Sequence, residues 1–562
     1  MPPDSRLRDA GYVIREANEL EMSWNSRNAK IPKWYDVLLL KDELAQTGME
    51  SFVSNDPRTF YNLSKHLLTP KVIPHRIREE SERITEESRF DQINRFLESN
   101  WSRIDKLSRR RGKQSWLGRL VGLVLATGWY SVFAIATKET LSAEVWHPLQ
   151  TFPEFGEDEL LRCVHKYSIP PNAARRKLIS HPDWNKGINL PESNYQVVVL
   201  DYWKMEVDGP YNVVVMNNQV AKPYQKTPFT EIPILVGPVG GLPDDGVIQT
   251  GGTWQEHYGE SIVATNERVY RDYNKQMTFL QQLLRDTAQP AVLEKSDGSP
   301  IIKDPEDLYR RGAVFRMGTS ENISVLDKGA VPVDVRTVLF DIGNMVQRGS
   351  LPAALFGNIQ QEIAAYLMSQ IASTAHQALG DYKDAIKAVL EDVDKLWLTQ
   401  MRDQNLSPYG FSIPAELPIE FDVDVGLEIS IPGDLVQRIS AARVANPLFR
   451  LSQHSILSLM FPEISDPLAE QAKANAEMAL QGDIARIVTT IRAFRDEAER
   501  LRTAGDSASA QSLESAAQVL EARLGEQSSP PAGPGGSSAI PTGPSAPPGE
   551  VIPREMLGMG GR

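Results

Sequence analysis

Nine apolar residues (Ile363, Leu367, Ile371, Leu379, Tyr382, Ile386, Val389, Val393 and Leu396) recur at spacings that place them on one face of a single helix of about ten turns. A helix of that length cannot bury its apolar face against itself, so the chain must supply an extended neighbour. A second rod is predicted from Trp254 to Thr287, where Ile262, Val269, Tyr273, Met277, Leu280 and Leu284 share a face and Pro290 closes the run. Its length would be about 50 Å at 1.5 Å per residue. A third, shorter stripe passes through Val335, Leu339, Ile342 and Met345/Val346. Between the second and third rods, Gly298, Pro300, Pro305, Gly312 and Gly318 punctuate β-forming residues, which predicts a small β-rich excursion between two helices.

The rest of the chain divides by vocabulary. Residues 1 to about 127 read as mostly helical. Asn55-Asp56-Pro57 is a helix start, with an Asx side chain to cap orphan amides and proline in the first turn, and a second helical block runs from Glu79 through Leu107. From about 130 to 250, runs such as YQVVVLDYWKMEV and YNVVVM stand between Pro, Gly and Asn, as strands do between turns. Gly237 to Gly252 is glycine-rich but lacks the Lys-Ser/Thr of a phosphate loop, and reads as a hinge. IEFDVDV from Ile419 alternates at period two, with Phe421, Val423 and Val425 on one face and Asp422 and Asp424 on the other, a half-buried strand. Two aspartates can begin a divalent-ion site, but no third ligand is apparent. From Leu480, the residues Ile484, Ile487, Ile491, Phe494, Ala498 and Leu501 alternate spacings of four and three, a coiled-coil seam. Gly505 breaks it, and Leu513, Leu520 and Leu524 predict a returning helix. From Gln527 onward Pro, Gly, Ser and Ala dominate, too little apolar surface to offset ordering entropy, so a disordered tail is expected.

Leu120 to Thr137, LVGLVLATGWYSVFAIAT, is an 18-residue run without a charge, the minimum for a bilayer span. Gly122, Thr127, Gly128 and Ser131 interrupt it, and from Tyr130 the residues are β-branched and aromatic, so a core helix followed by a strand is preferred to a membrane helix. Arg109, Arg110, Arg111, Lys113 and Arg119 precede it. They read as a solvated helix face, with a DNA or membrane patch as the alternative.

Charge and reactive residues narrow the function. Lys+Arg 60 against Asp+Glu 73 gives a net charge of -13 over 562 residues, the wrong sign for a chain that grips phosphates over its whole surface. The single cysteine, Cys163, excludes an internal disulfide, no Cys/His spacing fits zinc, and the N-terminus shows no apolar signal core, so a cytosolic chain is expected. GxSxG, HExxH and GxxxxGK[ST] are absent. Cys163 and His165 on one strand face read as a core pair rather than a nucleophile and base. The eight histidines include no pair at i, i+4, leaving no catalytic, cofactor or metal residue to nominate.

The order of these elements, with YGESI from Tyr258, LPAALFG from Leu351 and LSQHSILSLMFPEISDPLAEQAKANAEMA from Leu451, resembles the portal (head-to-tail connector) proteins of tailed bacteriophages. In the last stretch the similarity rests on Ser452, Ser455, Asp466, Pro467, Glu470 and Glu477. The resemblance implies an α+β, helix-rich fold: a wing over 1–250 (helical, then β-rich), stem helices over 251–288 and 333–349, a small β-containing clip over 289–332 and a tunnel loop over 350–361. A spanning helix and strand over 362–432, a helical crown over 433–525 and a disordered tail over 526–562 complete it. It also implies a non-enzymatic virion component without cofactors, assembled in the host cytoplasm. Twelve copies would form a ring at the unique capsid vertex, a conduit for packaging and ejecting double-stranded DNA. Implied partners are the terminase large subunit, a head-completion or adaptor protein, and the major capsid and scaffolding proteins; no membrane is involved.

Under that resemblance Leu351, Pro352, Leu355, Phe356, Asn358 and Gln360 form the DNA-facing tunnel loop, which on residue pattern alone reads equally well as a helix connection. Lys295, Lys303, Arg310, Arg311 and Arg316 face the terminase or adaptor, or are simply solvated loop charges. Ile262, Val269, Tyr273, Met277, Leu280, Leu339 and Ile342 pack neighbouring stems together. The competing readings are a cytosolic enzyme with an unrecognised site and a membrane-associated scaffold using 120–137.

Overall fold

The structure is a computed structural model that describes residues 4–45, 51–70, 73–78, 90–157, 159–192, 195–242, 258–288, 292–296, 298–302, 304, 316–325, 333–350, 365–415, 417–427, 429, 456–457, 461, 470–474, 483–503 and 507–527. It is α+β and helix-rich, in two compact units, Met1–Leu468 and Ala469–Arg562.

The first unit opens with helices α1 (Ala10–Ser23), α2 (Asn25–Leu38) and α3 (Asp56–Leu67), then strand β1 (His75–Arg78) and helices α4 (Asp91–Arg110) and α5 (Trp116–Thr127). Pro57 lies in the first turn of α3 as expected, but the Asn55 side chain makes no capping bond. Ser54 takes that place: its Oγ accepts from the Asp56 N–H and donates to the Asp56 carboxylate at 2.6 Å. In the uncharged run, α5 starts at Ser115, whose Oγ accepts from the Gly118 N–H, and stops at Gly128, where φ is +67°. Strand β2 (Trp129–Ala136) follows at once. Ten of the twelve α5 residues are buried, and no described helix is long and apolar enough to cross a membrane.

Strands β3 (Leu141–Val145), β4 (Thr151–Phe155) and β5 (Leu160–Ile169), helix α6 (Pro171–Ser180), and strands β6 (Val197–Glu206), β7 (Gly209–Met216), β8 (Gln219–Lys226) and β9 (Ile234–Pro238) complete the β-rich region. They form a three-stranded sheet ordered β3-β2-β9 and a five-stranded meander β4-β5-β6-β7-β8. Cys163 and His165 are buried together on β5, with the His165 ring stacked on Trp146 at 3.8 Å between centroids.

Helix α7 covers Glu267–Ala288, strands β10 (Val292–Lys295) and β11 (Asn322–Val325) pair antiparallel, and α8 covers Val333–Arg348. Helix α9 (Ala365–Asp403) has 39 residues, about 58 Å at 1.5 Å per residue. The described part of its stripe is buried as its period requires: Leu379, Ile386, Val389, Val393 and Leu396 all lie in the main core and Tyr382 packs against it, while Ile363 and the side chains of Leu367 and Ile371 lie outside the described residues. Near its end Gln400 accepts from the Ala136 N–H and donates to Ala134 O, and Trp397 donates to Ser142 O, which locks the rod to β2 and β3. Strand β12 (Asp422–Val425) pairs antiparallel with β1. Phe421, Val423 and Val425 face inward, while Asp422 and Asp424 meet Lys395 and Lys387 of α9.

One boundary differs from expectation. The second rod starts at Glu267, not Trp254: residues 262–266 form a turn and 251–257 lie outside the described residues. Ile262 and Val263 match the helical period but are used otherwise. The Ile262 N–H and the Ser261 hydroxyl both donate to Leu125 O, so the segment satisfies the carbonyl end of α5 instead of starting a helix.

In the second unit, α10 (Asp483–Thr503) and α11 (Ser507–Gln527) form a helical hairpin, burying Ile491, Ala498 and Ala517. Ion pairs Arg495–Glu521 and Arg502–Glu514 flank the seam. Helix α11 continues through Gln527, so residues 526 and 527, assigned to the expected tail, are helical; residues 528–562, Gly505, Pro290 and the hinge from 243 lie outside the described residues.

Candidate functional site

The two predicted stem helices are anchored at one end. Asn266, 4% exposed, donates its Nδ2 to Val346 O at 2.9 Å, which ties the start of α7 to the last turn of α8 and makes the pair antiparallel. A Cβ on Gly349 would stand 2.2 Å from Asn266 Oδ1, so the chain leaves α8 through a residue that must lack a side chain. Tyr270 is buried beside this joint, and burial pushes its hydroxyl up to about 12. The segment before α3 runs along the first half of α7: the Phe52 N–H donates to Thr278 Oγ1 and the Ser54 N–H to Asn274 Oδ1, each at 2.9 Å. Arg271 adds ion pairs to Glu43 and Glu267.

Outside those contacts the rods lose their cover. Phe279, Leu284, Val338 and Met345 are each about half exposed, and Phe340 is 71% exposed. Side chains of this size gain roughly 1.5–3 kcal/mol each on full burial. Leu284 and Met345 lie on the sequence stripes, but the stripe residues nominated for packing neighbouring stems are better covered. Ile262 is 7% exposed in its turn, Val269 packs on the unit's own core, and Tyr273, Met277, Leu280, Leu339 and Ile342 are half-buried. Phe279, Val338 and Phe340 escaped the sequence reading because they lie off the dominant stripes. The available signal was that Val333–Arg348 carries apolar residues on more than one face, as a helix with more than one neighbour does.

At the far end of the rods, β10 and β11 form a two-stranded ribbon. The Glu294 carboxylate accepts from the Ile301 and Ile302 amides and pins the turn. Lys295, opposite Asn322, and Arg316 are exposed. Lys303, Arg310 and Arg311, and the tunnel-loop residues Leu351, Pro352, Leu355, Phe356, Asn358 and Gln360, lie outside the described residues.

Reactive groups elsewhere are committed to packing. Burial pushes the Cys163 thiol far up and holds the His165 imidazole down near 3, which suits neither a nucleophile nor a base at neutrality. His75 and Asp394 form a buried pair at 2.6 Å, and Trp101 donates its indole N–H to the other Asp394 oxygen, so the triad joins β1, α4 and α9. Among the described residues no three His, Cys, Asp or Glu side chains converge as metal ligands.

No family model and no curated protein matches the chain. Among solved structures it is similar to a chain of the neck of a native gene transfer agent particle computed with C12 symmetry, at 12% identity and a TM-score of 0.36, covering 73% of this chain and 90% of that one. It is also similar to a chain of the virion of a native gene transfer agent particle, at 12% identity and a TM-score of 0.37, covering 76% and 93%.

Proposed function

We propose that the chain is a portal protein, a ring-forming conduit for double-stranded DNA at a capsid vertex. The carrying observation is the apolar surface of α7 and α8: Phe340, 71% exposed, together with Phe279, Leu284, Val338 and Met345, is left uncovered by the unit's own core. Apolar side chains strung along two rods are what a repeated, heterologous contact between identical copies covers, and such a contact closes into a ring when its rotation closes. The residue order and motifs that resemble portal proteins supply the rest: twelve copies, a clip carrying Lys295 and Arg316 toward a terminase or adaptor, and a tunnel loop over 350–361 facing the DNA. In this reading the motor is a separate ATPase, and the chain binds no cofactor. An acidic chain, net -13, lets a duplex slide rather than stick.

Mass photometry of the purified chain across a concentration series tests this. The expected result is a particle near twelve times the 62.7 kDa chain mass. A uniformly small species at every concentration, paired with turnover of a substrate, supports the enzyme reading instead.

A further inference from the structure

At the corner where α4 meets α5 the chain reverses its charge. Lys106, Arg109, Arg110, Arg111 and Lys113 are all exposed, and Lys65 of α3 joins them through a hydrogen bond from its Nζ to Gln114 Oε1 at 2.8 Å. Among the described residues none of these six cations has an ion pair. From Trp101 to Arg119 the one acidic residue is Asp105, and its carboxylate is spent on the Trp116 backbone N–H. Gly112, with φ +69°, turns the chain between Arg111 and Lys113, both of them exposed.

Cations at a helix C-terminus are favoured by the helix dipole, but that effect fades within the last turn and is worth roughly 0.3–1 kcal/mol per charge. It accounts for Arg109 and Arg110, not for Lys113 beyond the turn or for Lys65 on another helix. Nor does the corner look like a protein interface, which centres on buried apolar and aromatic anchors and is depleted in lysine. Leu107 is the one large apolar side chain exposed on α4. The helical part of the corner, residues 106–110, covers roughly 6 Å, a length of duplex that carries about four phosphates. Acidic surface more than about 8–10 Å from the corner matters little, because charges at that distance are screened at physiological salt.

We infer that this corner binds the phosphate backbone of double-stranded DNA without reading sequence, through residues other than those of the proposed stem and tunnel-loop contacts. Arginine forks suit phosphate oxygens, and the corner places no asparagine or glutamine free to read a base edge, since Gln114 is already held by Lys65.

The test is fluorescence anisotropy of a labelled 30-bp mixed-sequence duplex titrated with the full chain at several salt concentrations. The wild type and a K295Q/R316Q clip variant should bind alike and lose affinity with salt. An R109Q/R110Q/R111Q/K113Q variant should bind roughly tenfold or more weakly at low salt, with a log–log salt slope shallower by about three to four. A shuffled duplex should change nothing. Unchanged thermal unfolding of the quadruple variant checks that its fold is intact. Equal binding by wild type and quadruple variant, or no binding by either, overturns the inference. So does polyglutamate of matched charge binding more tightly than the duplex, which assigns the corner to an acidic protein partner. Ring formation is read separately by mass photometry, so a failure of the portal reading is distinguishable from a failure here.

Discussion

Arg27 is 2% exposed, and no carboxylate among the described residues pairs with it. Its guanidinium lies over Trp24 and Trp129 and donates Nη2 to Pro148 O and Thr151 O at 2.9 Å each, while burial draws it down to about 9. No local pattern announces this cage, because its parts come from α2, β2 and the turn into β4. Gly128 is the opposite case. A break between a helical run and a β-branched run was visible in the residues, and the structure adds why glycine stands there: φ is +67°, and a Cβ would lie 2.3 Å from Glu260 N. Gly128→Ala should therefore cost more than the roughly 1–3 kcal/mol of left-handed strain alone, read as a lower denaturation midpoint; an unchanged midpoint would show that the 258–261 segment yields easily. Buried histidines set a pH dependence. Burial holds His147 near 4 and His165 near 3, against 6.5 when unfolded. Between those values the unfolded chain binds more protons, so stability falls as pH drops below about 6.5, at up to about 1.4 kcal/mol per unit for each histidine. Asp201, Glu231 and Asp392, raised first by burial, work in the opposite direction, so the total slope does not isolate the histidines. His165→Phe does, since phenylalanine preserves the stacking on Trp146 and Tyr167. Its stability relative to wild type should rise steadily from pH 6.5 to 4, and parallel denaturation curves would rule the histidine out.

The rods carry the functional argument at the level of elements. A single charge placed on the most exposed apolar position separates folding from assembly: Phe340→Asp should leave the lone chain's stability within about 0.5 kcal/mol, as surface substitutions do, and abolish the large particle in mass photometry. Loss of stability equal to a core substitution would mean that Phe340 is packed within its own chain. Asn266→Ala is the useful contrast. It removes a buried donor from Val346 O, so it should lower the chain's own stability by about 1–3 kcal/mol before assembly is considered. How legible these elements were follows from their neighbours. Helix α9 was read almost whole because its period is matched by a core that packs it from Leu379 onward, and β12 because one side is buried and the other meets Lys387 and Lys395. The start of α7 was misread because period alone does not reveal that Ile262 serves the end of α5. Val338 and Phe340 were missed because a stripe search keeps one face per helix, and a rod between several neighbours has more.

Across the whole molecule the chain is built as two compact units, and the second is a hairpin whose apolar seam is closed by its own two helices. Ile491 and Ala498 of α10 and Ala517 of α11 are buried, and the flanking charges pair within the hairpin, Arg495 with Glu521 and Arg502 with Glu514. Its stabilising contacts are thus local in sequence. The main core draws instead on α2 to α5, β1 to β3, α9 and β12, joined by long-range links such as His75 to Asp394 and Trp397 to Ser142. Contact sets of such different range are what separate cooperative units are built from. A chain ending at Leu468 should therefore keep the main thermal transition at its wild-type midpoint and lose only the hairpin's contribution to the helical signal. Because the portal reading assigns ring closure to α7 and α8, this truncated chain should also still form the large particle, and Phe340→Asp in the truncated background should remove it. A truncated chain that folds with the wild-type midpoint yet stays small at every concentration would move ring closure from the stem to the hairpin, and Phe340 would need another explanation for its exposure.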